Sequence, residues 1–271
     1  MKDPFRSVIL ACRRRLGAKN ELDGSGTSKK HATDPYRFHL EHAFGRGGCP
    51  VCWLLTRYDE RCFDFLLYES VNDVGVRDEI RRTLGFCNYH AWVLHQVATD
   101  LTPGKLSVGM GRTGIGIIYL DLVETLIKRL KELSSSASKR HAKTLATPSK
   151  GTGTICPMCS ARAQFELWYL ESILRNIAIK DFAEKYATCD GLCAIHLLRA
   201  LELSGFDGNK RALASAEIRR LEELSVDLHE FWRKHDYRYA SEGFGKEGDS
   251  WLRALRKISG ERYAAPTKTT S

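Results

Sequence analysis

At 271 residues, with 43% hydrophobic and 28% charged side chains, the chain can hold one large domain or two smaller ones and is too apolar to be disordered throughout. Lys and Arg outnumber Asp and Glu by 42 to 33, a formal charge of +9 that permits contact with nucleic acid or an anionic surface but selects neither. No stretch approaches the roughly 18 apolar residues needed to cross a bilayer.

The chain starts with a basic segment, residues 1–35. Its apolar run Val8 to Cys12 is closed by Arg13, Arg14 and Arg15 and is too short for a secretory leader; residues 17–33, rich in Gly, Ser, Lys and Asn, read as a linker. His39-Leu40-Glu41-His42 follows on what reads as a polar helix face. Residues 36–133 then carry four helical patterns. The first leaves Cys49-Pro50-Val51-Cys52 through Trp53, Leu54, Tyr58, Cys62, Phe65 and Leu66, and the second, shorter, runs from Val76 to Leu84. The third opens at Gly85-Phe86-Cys87-Asn88-Tyr89-His90 and continues to Val97. The fourth spans Ile115 to Leu133, with Ile118, Leu122, Leu126 and Leu130 on one stripe.

A polar, Ser-rich and basic stretch, residues 134–154, reads as a linker, and the programme then repeats over 155–260. Cys156-Pro157-Met158-Cys159 leads a helix through Phe165, Trp168, Tyr169 and Ile173; Ile179, Phe182 and Tyr186 mark a short one. Gly191-Leu192-Cys193-Ala194-Ile195-His196 opens the third, and Ala212 to His235 forms the long fourth; residues 261–271 read as a frayed tail. No segment has the period-two alternation of a substantial sheet, so the expected class is all-α: two related four-helix, zinc-stapled repeats packed into one helical body.

The two copies begin 107 residues apart, at Cys49 and Cys156, and the gap from CPxC to CxxH is 34 residues in one and 33 in the other. Matched order at matched spacing points to an internal duplication with two metal sites. In CPxC two thiolates three positions apart can grip one ion, and in CxxH a thiolate and an imidazole share the first turn of a helix, where free N–H groups and the helix dipole favour an anionic sulfur. Taken within each repeat, the expected ligand sets are Cys49, Cys52, Cys87 and His90 for one ion and Cys156, Cys159, Cys193 and His196 for the other.

Four soft, tetrahedral ligands indicate Zn2+, two ions per chain, with an iron–sulfur cluster as the rival cofactor. With all four positions filled by protein there is no open site for water, so the zinc reads as structural and the protein as a binding or regulatory module of unknown partner. The alternatives are a thiol-based redox or metal-responsive switch, a nucleic-acid-binding protein, or an enzyme using polar groups such as His39, His42 or Asp236 in a cleft between repeats. Metal-type cysteine spacing and an odd cysteine total fit a reducing cytoplasm better than a disulfide framework, and Cys12, Cys62 and Cys189, unmatched between repeats, read as ordinary core or surface residues.

Two further motifs are weaker. Gly109-Met110-Gly111-Arg112-Thr113-Gly114 matches GxGxxG, but no βαβ unit surrounds it, so it reads as the start of a helix. Phe231-Trp232-Arg233-Lys234-His235-Asp236-Tyr237-Arg238 mixes aromatic and basic residues as a nucleic-acid surface would, and equally as a helix end tied to its neighbour would.

Taken together, Phe38-His39-Leu40, Glu69-Ser70-Val71, Arg77, both metal phrases, Lys234-His235-Asp236-Tyr237-Arg238 and Trp251-Leu252-Arg253-Ala254-Leu255 resemble an uncharacterised prokaryotic family of unknown function with duplicated CPxC and GFCxxH units. The likeness runs from about residue 36 to 260. It implies the fold and the metal sites and supplies no reaction.

Overall fold

A computed structural model describes residues 34–103, 105, 107–135 and 156–261; the expected N-terminal segment before residue 34, the linker over 136–155 and the tail after 261 lie outside the described residues. Those residues are helical, with no strand among them. The α-helices are α1 (Pro35–Phe44), α2 (Pro50–Phe65), α3 (Val74–Thr83), α4 (Asn88–Thr99), α5 (Gly111–Ser135), α6 (Pro157–Asn176), α7 (Lys180–Ala187), α8 (Ala194–Glu202), α9 (Asp207–Lys234) and α10 (Ser250–Ser259). A π-turn, Leu66–Ser70, extends α2, and 3-10 turns at Tyr237–Glu242 and Lys246–Asp249 lead into α10.

Local chemistry sets the helix starts. Pro35, Pro50 and Pro157 occupy first helical positions, where a missing N–H costs nothing and φ is already helical. Asp34 accepts a hydrogen bond from Tyr36 N and Asp73 one from Val76 N, satisfying donors that would otherwise be orphaned. Cysteines take the capping position at the other key starts. The carbonyls of Cys49, Cys87, Cys156 and Cys193 accept from Trp53, Ala91, Ser160 and Leu197.

The chain divides into two compact units. Unit 1 takes in the described residues of 57–165 and unit 2 those of 34–56 and 166–261, so that both boundaries fall inside helices, α2 and α6. The CPxC start of each of these helices therefore belongs to one unit and the rest of the helix to the other.

In unit 1, α5 packs on α3, α4 and the π-turn. Tyr58 meets Phe165 with ring centroids 4.1 Å apart and Phe63 meets Phe86 edge-on at 5.1 Å, around a core that includes Leu66, Ile80, Leu94, Val97, Ile118 and Leu122. Asp121 on α5 accepts from Arg77 and Arg81 on α3. The expected stripe on α5 is only half buried: Ile118 and Leu122 are enclosed, whereas Leu126 is 38% and Leu130 48% exposed. The glycine-rich start of α5 serves close packing, since a Cβ on Gly111 would lie 2.5 Å from the Ala98 carbonyl oxygen.

In unit 2, α1 lies against α7. Phe44 packs on Phe182 and Tyr186 at 5.3 and 5.5 Å, Tyr36 on Trp168 and Tyr169, and Arg37 bonds Asp181 across the helix pair at 2.6 Å. Helix α10 is turned the unusual way round. Its Arg253 and Lys257 reach Asp227 and Glu217 of α9, while Trp251, Leu255 and Ile258 are exposed. Because Phe182 is fully enclosed and central to the α1–α7 contact, Phe182→Ala is expected to destabilise unit 2 by about 3–5 kcal/mol, measured by denaturant unfolding.

Candidate metal centres

Two clusters of sulfur and imidazole form where four helices begin. Cys49, Cys52, Cys193 and His196 come together within unit 2, and Cys87, His90, Cys156 and Cys159 within unit 1, each set with its ligand atoms within 4.8 Å of one another. All eight residues expected as ligands lie in these two clusters, which could each hold a metal ion, but they are grouped differently from the within-repeat sets expected above. Each cluster joins the CxxH of one half of the sequence to the CPxC of the other half.

Helix length is the physical reason. Asp59 stands on α2 ten residues beyond Cys49, about 15 Å of helical rise, and Asp59 Oδ1 lies 3.5 Å from His90 Nε2. A straight helix that holds Asp59 against His90 cannot also present Cys49 and Cys52 to that histidine.

Each ligand pair occupies the N-cap and third positions of its helix, the spacing at which a capping box closes on the first turn. The N-cap residues Cys87 and Cys193 have extended backbones (ψ 164° and 161°), which turn the thiol towards the helix end. The chain reaches these caps through left-handed glycines, Gly85 (φ 93°) and Gly191 (φ 72°). At Gly191 space is also decisive: a Cβ would lie 2.3 Å from Oε1 of the buried Glu217, which accepts hydrogen bonds from Leu192 N and Tyr186 Oη and pairs with Lys257.

In unit 2, His196 Nδ1 lies 3.4 Å from the Cys49 and Cys52 sulfurs and 3.2 Å from that of Cys193, and Cys52 and Cys193 are 3.8 Å apart. In unit 1, His90 Nδ1 lies 3.3 Å from Cys87 and Cys159 and 3.6 Å from Cys156, and Cys87 and Cys159 are 3.5 Å apart. Sulfur at about 2.3 Å and nitrogen at about 2.0–2.1 Å around one tetrahedral ion give edges of roughly 3.8 Å for S···S and 3.6 Å for S···N. The residues present fit a single four-coordinate ion in each cluster.

The far side of each imidazole meets a carboxylate. His90 Nε2 and Asp59 Oδ1 are buried, make no hydrogen bond and face one another at 3.5 Å; Asp59 Oδ2 accepts from Tyr89 Oη at 2.9 Å and from Arg162. His196 Nε2 lies 3.5 Å from Glu166 Oε1, and Glu166 Oε2 accepts from Arg199 at 2.7 Å. An Nε2–H aimed at a carboxylate leaves Nδ1 as the ligand atom.

Protons in the metal-free clusters settle unequally. Burial opposes charge on His90, but the neighbouring Asp59 and Cys156 outweigh it and raise the imidazole to about 10. Hydrogen bonds from Cys159, His90 and the Cys87 backbone hold Cys156 at about 4, and the Cys156 thiolate together with burial pushes Cys159 up. In unit 2 burial again opposes charge on His196, yet Cys193 and Cys52 raise it to about 9. Cys49 and Cys52 hold Cys193 well below the usual thiol range, while burial pushes Cys49 up.

A family model described as a family of unknown function, DUF6062, matches residues 35–265. The chain belongs to this family. It is also 28% identical over 220 residues to an uncharacterized 23.9 kDa protein in the xynA 3' region of Caldicellulosiruptor sp. (strain Rt8B.4), covering 80% of this chain and 97% of that protein. No solved structure matches.

Sequence reasoning missed Asp59 and Glu166 in this DUF6062 member. Each stands seven residues after the second cysteine of its CPxC, a shared carboxylate position that repeat alignment could have revealed. Cys62 and Cys189 are buried outside both clusters, and Cys12 lies outside the described residues. His42 packs on Trp53, and Asp236 caps a 3-10 turn and bonds Arg238. In the aromatic and basic stretch, Arg233 is held by Glu230 and Glu242 and Lys234 by Glu247, so these cations tie the helix end down. Among the described residues, no helix is long and apolar enough to cross a membrane.

Since His90 and Cys159 hold protons through neutral pH that a metal must displace, the affinity of the unit 1 cluster is expected to rise steadily with pH from neutrality up to about 10, where His90 loses its proton unaided. Competition against a chromophoric chelator measures this, and an affinity indifferent to pH would contradict it.

Proposed function

We propose that this DUF6062 protein binds two zinc ions in closed Cys3His sites that are structural, and that it serves as a binding or regulatory module whose working surface is built on the helices the ions hold. The spacing of the ligand atoms carries the reading: every S···S and S···N separation given above suits the edge of a tetrahedron around one ion. Ligands that bind different irons of a cluster stand further apart than ligands sharing one ion, which favours zinc over iron–sulfur chemistry. Four protein ligands leave no position for a reacting water, which favours a structural role over a catalytic one. Thiolate ligation also fits a reducing compartment such as the cytoplasm.

Metal analysis of anaerobically purified protein should give two zinc ions per chain and no iron absorbance; brown protein or protein free of metal would overturn the zinc reading. The crossed grouping has its own signature. Cys52→Ser with Cys193→Ser should lose one ion, because both act on the same cluster, whereas Cys52→Ser with Cys87→Ser should lose both.

One observation favours a second reading, a thiol switch confined to unit 2. A cavity of about 370 Å³ lined by Arg220, Lys246, Arg253 and Lys257 reaches Cys49 and Cys193. A peroxide entering there would oxidise two thiolates to a disulfide, be reduced to water, and release the ion. Stoichiometric peroxide should then free one zinc per chain before the second, reversibly with dithiothreitol; simultaneous loss of both ions would count against this reading.

A further inference from the structure

Helices α2 and α6 each carry a cysteine pair of one cluster at the start and, ten residues on, the carboxylate that faces the histidine of the other. Helix α2 presents Cys49 and Cys52 in unit 2 and Asp59 to His90 in unit 1. Helix α6 presents Cys156 and Cys159 in unit 1 and Glu166 to His196 in unit 2. The arrangement occurs twice, at equivalent positions of the two repeats, with the same 3.5 Å separation.

We infer that Asp59 and Glu166 are positioning residues for the histidine ligands, and that because each shares a helix with the cysteine pair of the other cluster, the two metal sites load cooperatively. The inference rests on the metal-binding reading. A ligating histidine needs its second nitrogen anchored so that the ring presents one lone pair in one direction, and a carboxylate acceptor does this while making the imidazole a better donor. Asp59 is itself pinned by Arg162 and Tyr89, and Glu166 by Arg199, so neither carboxylate can swing to follow a misplaced ring. An ion bound through Cys49 and Cys52 fixes the first turn of α2 and, through the stiffness of the helix, the position of Asp59 further along it. An ion bound through Cys156 and Cys159 does the same for Glu166 on α6. Each ion therefore lowers the ordering cost for the other, which is positive coupling without contact between ligand sets.

The test is titration of the apo full-length chain with Co2+ and with Zn2+, following thiolate-to-cobalt absorbance, with Asp59→Asn, Glu166→Gln and Glu166→Asp variants and with Cys49→Ser/Cys52→Ser. The wild type should fill both sites in one cooperative transition. Asp59→Asn should weaken the unit 1 ion by about 10–100-fold, and Glu166→Gln the unit 2 ion, while Glu166→Asp recovers much of the loss. Loss of Cys49 and Cys52 should weaken the ion remaining in unit 1 as well. Long-range 1H–15N spectra of the zinc-loaded protein add a readout that packing alone would not move: His90 and His196 should be protonated at Nε2, and Asp59→Asn should alter that signature for His90 only.

Two independent binding constants, with amide variants at wild-type affinity, would overturn the inference and leave two metal sites standing. A chain that takes up neither ion would overturn the metal reading and the inference with it. Circular dichroism of each variant at saturating zinc identifies any that fails to fold; because Arg199 is half exposed, Glu166→Gln disturbs less buried charge than Asp59→Asn and tests the same point.

Discussion

The first turn of a helix governs this protein. Its unpaired N–H groups and the positive end of its dipole favour a thiolate at the N-cap, and the third helical residue projects to the same side, so Cys-x-x-Cys and Cys-x-x-His each become a two-pronged grip when a helix starts at the cysteine. Four helices, α2, α4, α6 and α8, start this way, two at each cluster. Proline at the first position of α2 and α6, and left-handed glycine before the caps of α4 and α8, make those starts unambiguous.

From that constraint follows the division of labour along α2 and α6. Each is long enough to hold a cysteine pair at its start and a carboxylate ten residues on, and stiff enough that the two cannot serve one histidine. The resulting units each contain one complete cluster of three cysteines and a histidine together with the carboxylate that faces the histidine, though unit 2 is not a continuous stretch of the described chain. Burial is arranged to suit: Asp59 is wholly enclosed with a guanidinium and a phenol on its outer oxygen, while Glu166 sits beside an arginine half open to solvent.

Polar groups also organise the framework away from the ligands. Glu217 supports the turn into α8 from beneath, and Asp121 and Asp227 each gather two cations from neighbouring helices. Helix α10 shows how far this can go, since it docks through Arg253 and Lys257 onto buried carboxylates and leaves Trp251, Leu255 and Ile258 outward. A reading based on hydrophobic periodicity alone would turn Trp251, Leu255 and Ile258 inward, and on α5 it does not distinguish the enclosed Ile118 and Leu122 from the more exposed Leu126 and Leu130.

The sequence by itself determined the all-helical class and the helix starts at the four cysteine motifs, because those depend on local spacing: 3.6-residue periodicity, proline and glycine at turns, and Cys or His three positions apart; α5 and α9 begin at Gly111 and Asp207, ahead of the expected Ile115 and Ala212. Asp59 and Glu166 were legible only as a repeat-matched carboxylate, with nothing local to mark their role. Which cysteine pair meets which histidine was decided by the tertiary structure alone. Proximity along the chain favours the nearer CxxH, but residues ten apart on a helix stand about 15 Å apart along its axis, and packing chose which helix brings each histidine its cysteine pair and which its carboxylate.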